Sequence, residues 1–144
     1  RNCRDQNDAR LRSIEACDII LKFGNFGKAE WRVPSSIKFS EDETKASFVR
    51  GFFDSEGEID KQIGRVGASS MNLDGLKEVQ DLLSSLEIRS TIIKKKDPRP
   101  NASQKYVLRI HDKKSIGLFY HLIGFTIERK QKILREFLIS KKLA

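Results

Sequence analysis

Cysteine is scarce in this chain, and the little there is excludes two architectures. Cys3 and Cys17 are the only two in 144 residues, too few for a disulfide-stapled fold. They lack the paired spacing, with histidine nearby, that a zinc site needs, and they read as free thiols, Cys17 on the apolar face of a helix. His111 and His121 are equally isolated and receive no role. No stretch approaches the ~18 consecutive apolar residues of a membrane span, and no signal-like apolar region opens the chain. A soluble, intracellular protein without a membrane partner is expected, in the cytoplasm of a prokaryote or in an organelle. Arg1 stands where a methionine would, so some leading residues are expected to be missing. Internal repeats, low-complexity tracts and linker-like segments are lacking too, and the length suits one domain with a real core.

Negative charge is also in short supply. Lys and Arg number 28 against 20 Asp and Glu, a formal net charge of +8. Such a surface favours polyanions, nucleic acid first among them. The imbalance has one exception: residues 41–57 hold five acidic side chains and two basic ones, between flanks that are net positive.

Apolar spacing outlines the elements. Asp8 to Phe23 carries Leu11, Ile14, Cys17 and Leu21 at helical intervals before Gly24, an amphipathic helix with a glycine stop. Residues 24–36 read as irregular or extended. Ser40 with Glu43 forms a capping box ahead of a helix from about Glu41 to Phe53. Glu58 to Ser70 reads as a hairpin turning near Asp60 to Gln62. Asn72 can cap a helix whose core face is Leu73, Leu76, Val79, Leu83 and Leu86. Ile88 to Lys96 and Gln104 to His111 read as strands around a proline-containing loop. Asp112 and Thr126 can cap two last helices, one through Ile123 and one reaching Leu143. From Ser40 the order is α-β-β-α-β-β-α-α.

The informative stretch is Phe48 to Gly57, an apolar helix ending in Asp54-Ser55-Glu56-Gly57. Ser47, Gly51 and Ser55 recur every four residues, a small-residue spacing that lets two helix backbones approach closely. Close approach of two copies would gather their carboxylates, a costly arrangement unless a cation is held there. Hard oxygen ligands suit Mg²⁺ in phosphoryl chemistry. The same pattern also describes a buried helix with a solvated acidic end, although that end of a helix prefers cations.

Residues 49–57 resemble the nine-residue LAGLIDADG signature, with Gly51, Asp54, Glu56 and Gly57 at its third, sixth, eighth and ninth positions. The β-β-α-β-β-α order after it extends the resemblance over residues 40–144. The resemblance implies an α+β fold, a homing endonuclease-like α-β-β-α-β-β-α domain whose four-stranded antiparallel sheet binds DNA, with residues 1–39 as an N-terminal extension. One motif is present and a second half does not fit before Ser40, so a homodimer on a partly palindromic site is implied. Its interface would comprise Ser47, Phe48, Gly51, Phe52, Asp54 and Ser55.

By the same resemblance Glu56 supplies the metal-binding carboxylate and Ser55 a backbone carbonyl, for Mg²⁺ or another divalent cation such as Mn²⁺. Glu56 replaces the usual aspartate, keeping charge and ligand type with one more methylene. Asp54 is expected to serve helix-end and interface structure. Lys130 matches the lysine that often completes these sites, or belongs to a solvated cationic face. Asn72 is a weaker candidate for a polar group around the attacking water, or a helix cap. Base and phosphate contacts are expected from Lys61, Gln62, Arg65, Arg89, Lys94, Lys96, Gln104, Lys105 and Arg109, with Arg99 from the intervening loop. The resemblance implies metal-dependent double-strand DNA cleavage leaving short 3′ overhangs. An intron-encoded origin is expected, since no splicing sequence is recognisable. The rivals are an RNA maturase, with RNA as partner, and a non-catalytic DNA-binding regulator.

Overall fold

The computed structural model describes residues 14–22 and 29–142. The first element is α1 (Ile14–Leu21), followed by the one-turn α2 (Ser35–Lys38) and the motif helix α3 (Asp42–Glu56). Then come β1 (Gly57–Asp60), β2 (Arg65–Ser70), α4 (Leu73–Ser85), β3 (Thr91–Lys95) and β4 (Lys105–Ile110). The chain closes with α5 (Lys113–Leu118), a π-helical turn over Phe119–Ile123 and α6 (Glu128–Ser140). The four strands form one antiparallel sheet in the order β1-β2-β4-β3. This is the α+β class and element order expected from the sequence. Among the described residues no helix is long and apolar enough to cross a membrane.

Among the described residues, helices cover only one face of the sheet. Val66 and Ala68 of β2 and Leu108 and Ile110 of β4 are fully buried beneath Val49 and Phe53 of α3, Leu76, Val79 and Leu83 of α4, and Leu134 and Leu138 of α6. Each large apolar side chain withdrawn from water contributes roughly 1.5–3 kcal/mol before conformational entropy is counted. Aromatic rings bind the layers in a chain: Phe53 meets Phe119 at 5.0 Å, and Phe119 meets Phe125 at 5.4 Å.

Several local expectations give way to longer-range ones. Ser40 is not a cap: its hydroxyl donates to the Ile37 carbonyl at 2.6 Å, and Glu41 occupies the N-cap of α3 without a side-chain bond. The motif helix runs on to Glu56, three residues beyond Phe53. The hairpin turns over residues 61–64, because Asp60 Oδ1 accepts both the Gln62 and Ile63 N–H groups at 3.0 Å. Gly64 closes that turn at φ 72°, with Phe137 against it where a Cβ would stand. Asn72 and Asp112 do cap α4 and α5, at 2.9 Å to Gly75 N and Ser115 N. Thr126 does not cap α6; the N-cap residue is Ile127, and it has no side-chain cap of its own.

Residues 31–38 belong to the folded body rather than to a separate extension. Val33 is 2% exposed in the common core, Trp31 packs on Phe52 at 5.4 Å, and Arg32 and Lys38 reach Asp74 and Glu78 of α4. A boundary at Ser40 therefore divides residues that pack together. In α1, Ile14 and Leu21, expected on a buried face, are exposed. Cys3, Leu11, Gly24, Leu143 and the side chain of Cys17 lie outside the described residues.

Candidate nuclease centre and nucleic-acid face

The motif helix ends in an abrupt change of direction. Gly57 leaves the helix directly into β1, its N–H bonded to the Phe53 carbonyl. A Cβ there would stand 2.2 Å from that carbonyl oxygen, so glycine is required by close approach. Glu56, the last helical residue, is exposed, and its carboxylate has no ion pair within 4 Å among the described residues.

Two side chains lock this end to α6. Lys130 Nζ donates to the Asp54 carbonyl at 2.7 Å, an acceptor that the helix C-terminus leaves open, and at 3.2 Å to the Phe53 carbonyl, which also accepts the Gly57 N–H. In return, Asp54 Oδ1 accepts from Thr126 N at 2.9 Å and Ile127 N at 3.4 Å, capping α6 from another helix. Burial pushes the Lys130 ammonium below the ordinary lysine range; the Asp54 and Glu56 carboxylates pull it back up, while Arg129 adds to the depression. Lys130 also lies 5.6 Å from the centre of the Phe125 ring.

Five of the six interface candidates come together. Ser47, Phe48, Gly51, Phe52 and Ser55 line one groove of about 840 Å³, with Glu56 at its end and Trp31, Arg32 and Lys105 on its walls. Among the described residues nothing lies within 4 Å of where a Cβ on Gly51 would be. The Ser47 and Ser55 hydroxyls donate back to their own helix, at 3.0 Å to Glu43 O and Phe52 O, leaving the stripe low and smooth. Asp54, the sixth candidate, is turned instead to the start of α6. Asn72 is 4% exposed, with Oδ1 on Gly75 N and Nδ2 on Trp31 O at 2.5 Å. Both ends of its amide are committed to the fold, which leaves it no part in the chemistry proposed below.

Register sorts the basic residues. Facing partners in an antiparallel sheet share a side, so Arg65, Lys105 and Arg109 stand on the uncovered face. Lys94 pairs with Tyr106 and falls on the helix side, in a hollow with Leu73 and Lys77. Lys95, absent from the sequence-based set, faces out opposite Lys105. The run Thr91-Ile92-Ile93-Lys94-Lys95-Lys96 has no alternation among its lysines, and only the pairing of Ile92 with Leu108 reveals the phase. Lys61 and Gln62 occupy the β1–β2 turn, Lys61 bonded to Glu136 at 3.1 Å. Arg89 precedes β3 and Lys96 follows it. Arg99 is held by Asp97 at 2.7 Å, and the Gln104 amide turns back onto the Lys95 and Lys105 carbonyls. Val107 shows how crowded the uncovered face is: it is 4% exposed there, yet lies outside the helix-side core.

Comparison with known proteins gives the family. Residues 43–124 match LAGLIDADG-like domains, a span running from the motif helix through the whole sheet to the end of the π-helical turn. Three proteins of Methanocaldococcus jannaschii are similar. The glutamine–fructose-6-phosphate aminotransferase is 33% identical over 111 residues, 77% of this chain and 10% of that protein. The uncharacterized protein MJ0398 is 34% identical over 113 residues, 72% of this chain and 39% of that one. The probable translation initiation factor IF-2 is 27% identical over 108 residues, 74% and 9% respectively. This chain thus spans between about a tenth and two fifths of these relatives' lengths. The crystal structure of full-length DUF199/WhiA from Thermatoga maritima aligns at a TM-score of 0.49 and 20% identity, over 77% of this chain and 38% of that one. With the signature on the end of α3 and a matched span covering more than half of its length, this chain belongs to the LAGLIDADG-like domain family.

Proposed function

We propose that this domain is half of a metal-dependent, site-specific DNA endonuclease, completed by a second copy of the chain across the Ser47–Gly51–Ser55 stripe. The observation that carries this reading is the end of α3: an exposed carboxylate without an ion-pair partner among the described residues, on a helix whose Phe53 and Asp54 carbonyls are fixed by a half-buried ammonium. A lone carboxylate at a helix C-terminus is electrostatically disfavoured. Two of them near a dyad are worse, unless a cation lies between.

The donor set fits a hard divalent ion. Glu56 offers carboxylate oxygens and Ser55 a main-chain carbonyl, and Lys130 does not take the Ser55 carbonyl. Among the described residues no three His, Cys, Asp or Glu gather to hold a metal. The remaining ligands would come from Glu56 of the second copy and from the DNA phosphate. Mg²⁺ or Mn²⁺ there supplies positive charge to the scissile phosphate and acidity to a water. In the hydrolysis, the water oxygen bonds to phosphorus, the bond to the 3′ oxygen breaks and that oxygen takes up a proton. The uncovered sheet face, with Arg65, Lys95, Lys105 and Arg109, provides the polyanion-binding surface.

The relatives support a mobile element. An aminotransferase and an initiation factor share with this chain a segment of only about a tenth of each. A segment distributed among unrelated activities travels independently of them, which favours an in-frame insert in protein-coding genes over the intron expected from the sequence.

The test is cleavage of a randomised, partly palindromic DNA library with Mg²⁺ or Mn²⁺, comparing the wild type with Glu56→Gln. Double-strand breaks with short 3′ overhangs, lost in the variant while binding persists, are expected. Binding to DNA without cutting by either protein leaves the non-catalytic regulator, and preference for folded RNA leaves the maturase.

A further inference from the structure

One lateral row crosses the whole uncovered face. Glu58 of β1 pairs with Gly67 of β2, Gly67 with Arg109 of β4, and Arg109 with Thr91 of β3. Gly67 contributes no side chain, so the row has a gap beside Arg109. Glu58 leans toward that gap, its Cγ 3.9 Å from where a Cβ on Gly67 would be.

Arg109 differs from Arg65 of this face and from Arg99 of the neighbouring loop. Arg65 has Asp60 at 3.7 Å and Arg99 has Asp97 at 2.7 Å, whereas Arg109 has no carboxylate within 4 Å among the described residues. Its Nε is buried without a hydrogen-bond partner among the described residues. Burial of Nε packs the stem against the sheet, so the guanidinium does not swing freely as a phosphate-seeking arginine does. Its terminal amino groups make no ion pair among the described residues. Phosphate is also disfavoured over this row by the Glu58 carboxylate, while two rows along β4 the facing pair Lys95 and Lys105 offers phosphates a cationic seat whose nearby carboxylate, Asp97, is already held by Arg99.

We propose that Arg109 reads a base edge and selects a guanine at one fixed position of each half-site. The inference rests on the DNA-binding reading above. A planar fork with two outward N–H donors matches the paired O6 and N7 acceptors that guanine shows in the major groove; adenine presents an acceptor beside a donor, and cytosine only a donor. Arg109 is the specificity-determining residue, and the lysine row sets the backbone against which it is registered.

The test is selection by binding from random duplex DNA with the wild type, Arg109→Gln and Arg109→Lys. The wild type selects guanine at one position per half-site. Arg109→Gln moves that position alone toward adenine and weakens the original site roughly tenfold to a hundredfold. Arg109→Lys keeps guanine with poorer discrimination, which reads the same position if the glutamine variant is unstable. The dependence of binding on salt stays as in the wild type. Equal weakening on every sequence, with the salt slope reduced by about one, makes Arg109 a phosphate contact and overturns the proposal. Unchanged preferences overturn it as well. If the wild type selects no DNA at all, the DNA-binding reading falls and this proposal with it; selected sites that ignore Arg109 remove the proposal alone.

Discussion

Lys130 and Asp54 cap each other's helices: the Lys130 ammonium donates to the Asp54 carbonyl at 2.7 Å, and the Asp54 carboxylate accepts the Thr126 N–H at 2.9 Å at the entrance to the helix that carries Lys130. The end of α3, where Glu56 sits, is thereby set against α6 by bonds running in both directions.

Removing one side of this exchange has a defined cost. Asp54→Ala is expected to lower stability by about 1–2 kcal/mol in urea denaturation, as loss of a helix cap does. DNA cleavage should fall further than stability does, because Lys130 and Glu56 lose their common frame. Asp54→Asn keeps an acceptor oxygen and should recover most of the stability; an asparagine variant as unstable as the alanine one would show that charge rather than the cap matters.

Gly51 separates folding from pairing. Its Cβ position is open in the single chain, so Gly51→Leu should leave the melting temperature of the folded domain unchanged or slightly higher. The same side chain would stand between two closely packed motif helices. Sedimentation should show a dimer for the wild type and a monomer for the variant; an unchanged dimer would move the interface elsewhere.

Glu78 ties residues 31–38 to α4 in a pH-dependent way. Burial works against its ionisation, but hydrogen bonds from Lys38 at 2.6 Å and from Val33 N at 2.7 Å, with the charges of Lys38 and Arg32, outweigh it. Its carboxyl is therefore held below the ordinary glutamate value of 4.5. A lowered carboxyl pKa gives stability that is complete above the unfolded value and is lost as pH falls through the folded one. Acid titration of unfolding should show that loss below about pH 4.5 in the wild type. Glu78→Gln should flatten the profile in that window and cost roughly 1–2 kcal/mol at neutral pH.

Glu87 occupies the left-handed position that ends α4, at φ 63°. Ile88 N bonds to Leu83 O and Glu87 N to Ser84 O, the closure usually built around glycine. Glu87→Gly should raise stability by roughly 1 kcal/mol, read as a higher urea midpoint with an unchanged slope.

What was legible in the sequence was what neighbours in the chain decide. The caps at Asn72 and Asp112, the 3.6-residue period of α4 and the alternation of Tyr106, Leu108 and Ile110 each act within a few residues and appear as read. Contacts across the fold were hidden. Asp54 supplies the cap assigned to Thr126 from 72 residues away, and Val33 enters the core from a segment whose glycines, tryptophan and proline signalled no element. The face taken by Lys94 rather than Lys95 depends on a strand phase that three consecutive lysines do not encode.

The strand order β1-β2-β4-β3 has a kinetic consequence. β1 and β2 meet across a four-residue turn, and β3 and β4 across the short loop between Lys95 and Lys105, so either pair can zip locally. The central ladder joins Ser70 to Tyr106, and closing so long a loop costs roughly 3 kcal/mol of chain entropy. The two outer hairpins should therefore form early and the middle seam last, with α4 bridging the gap meanwhile. The uncovered face that spans all four strands would then be assembled only in the final step of folding.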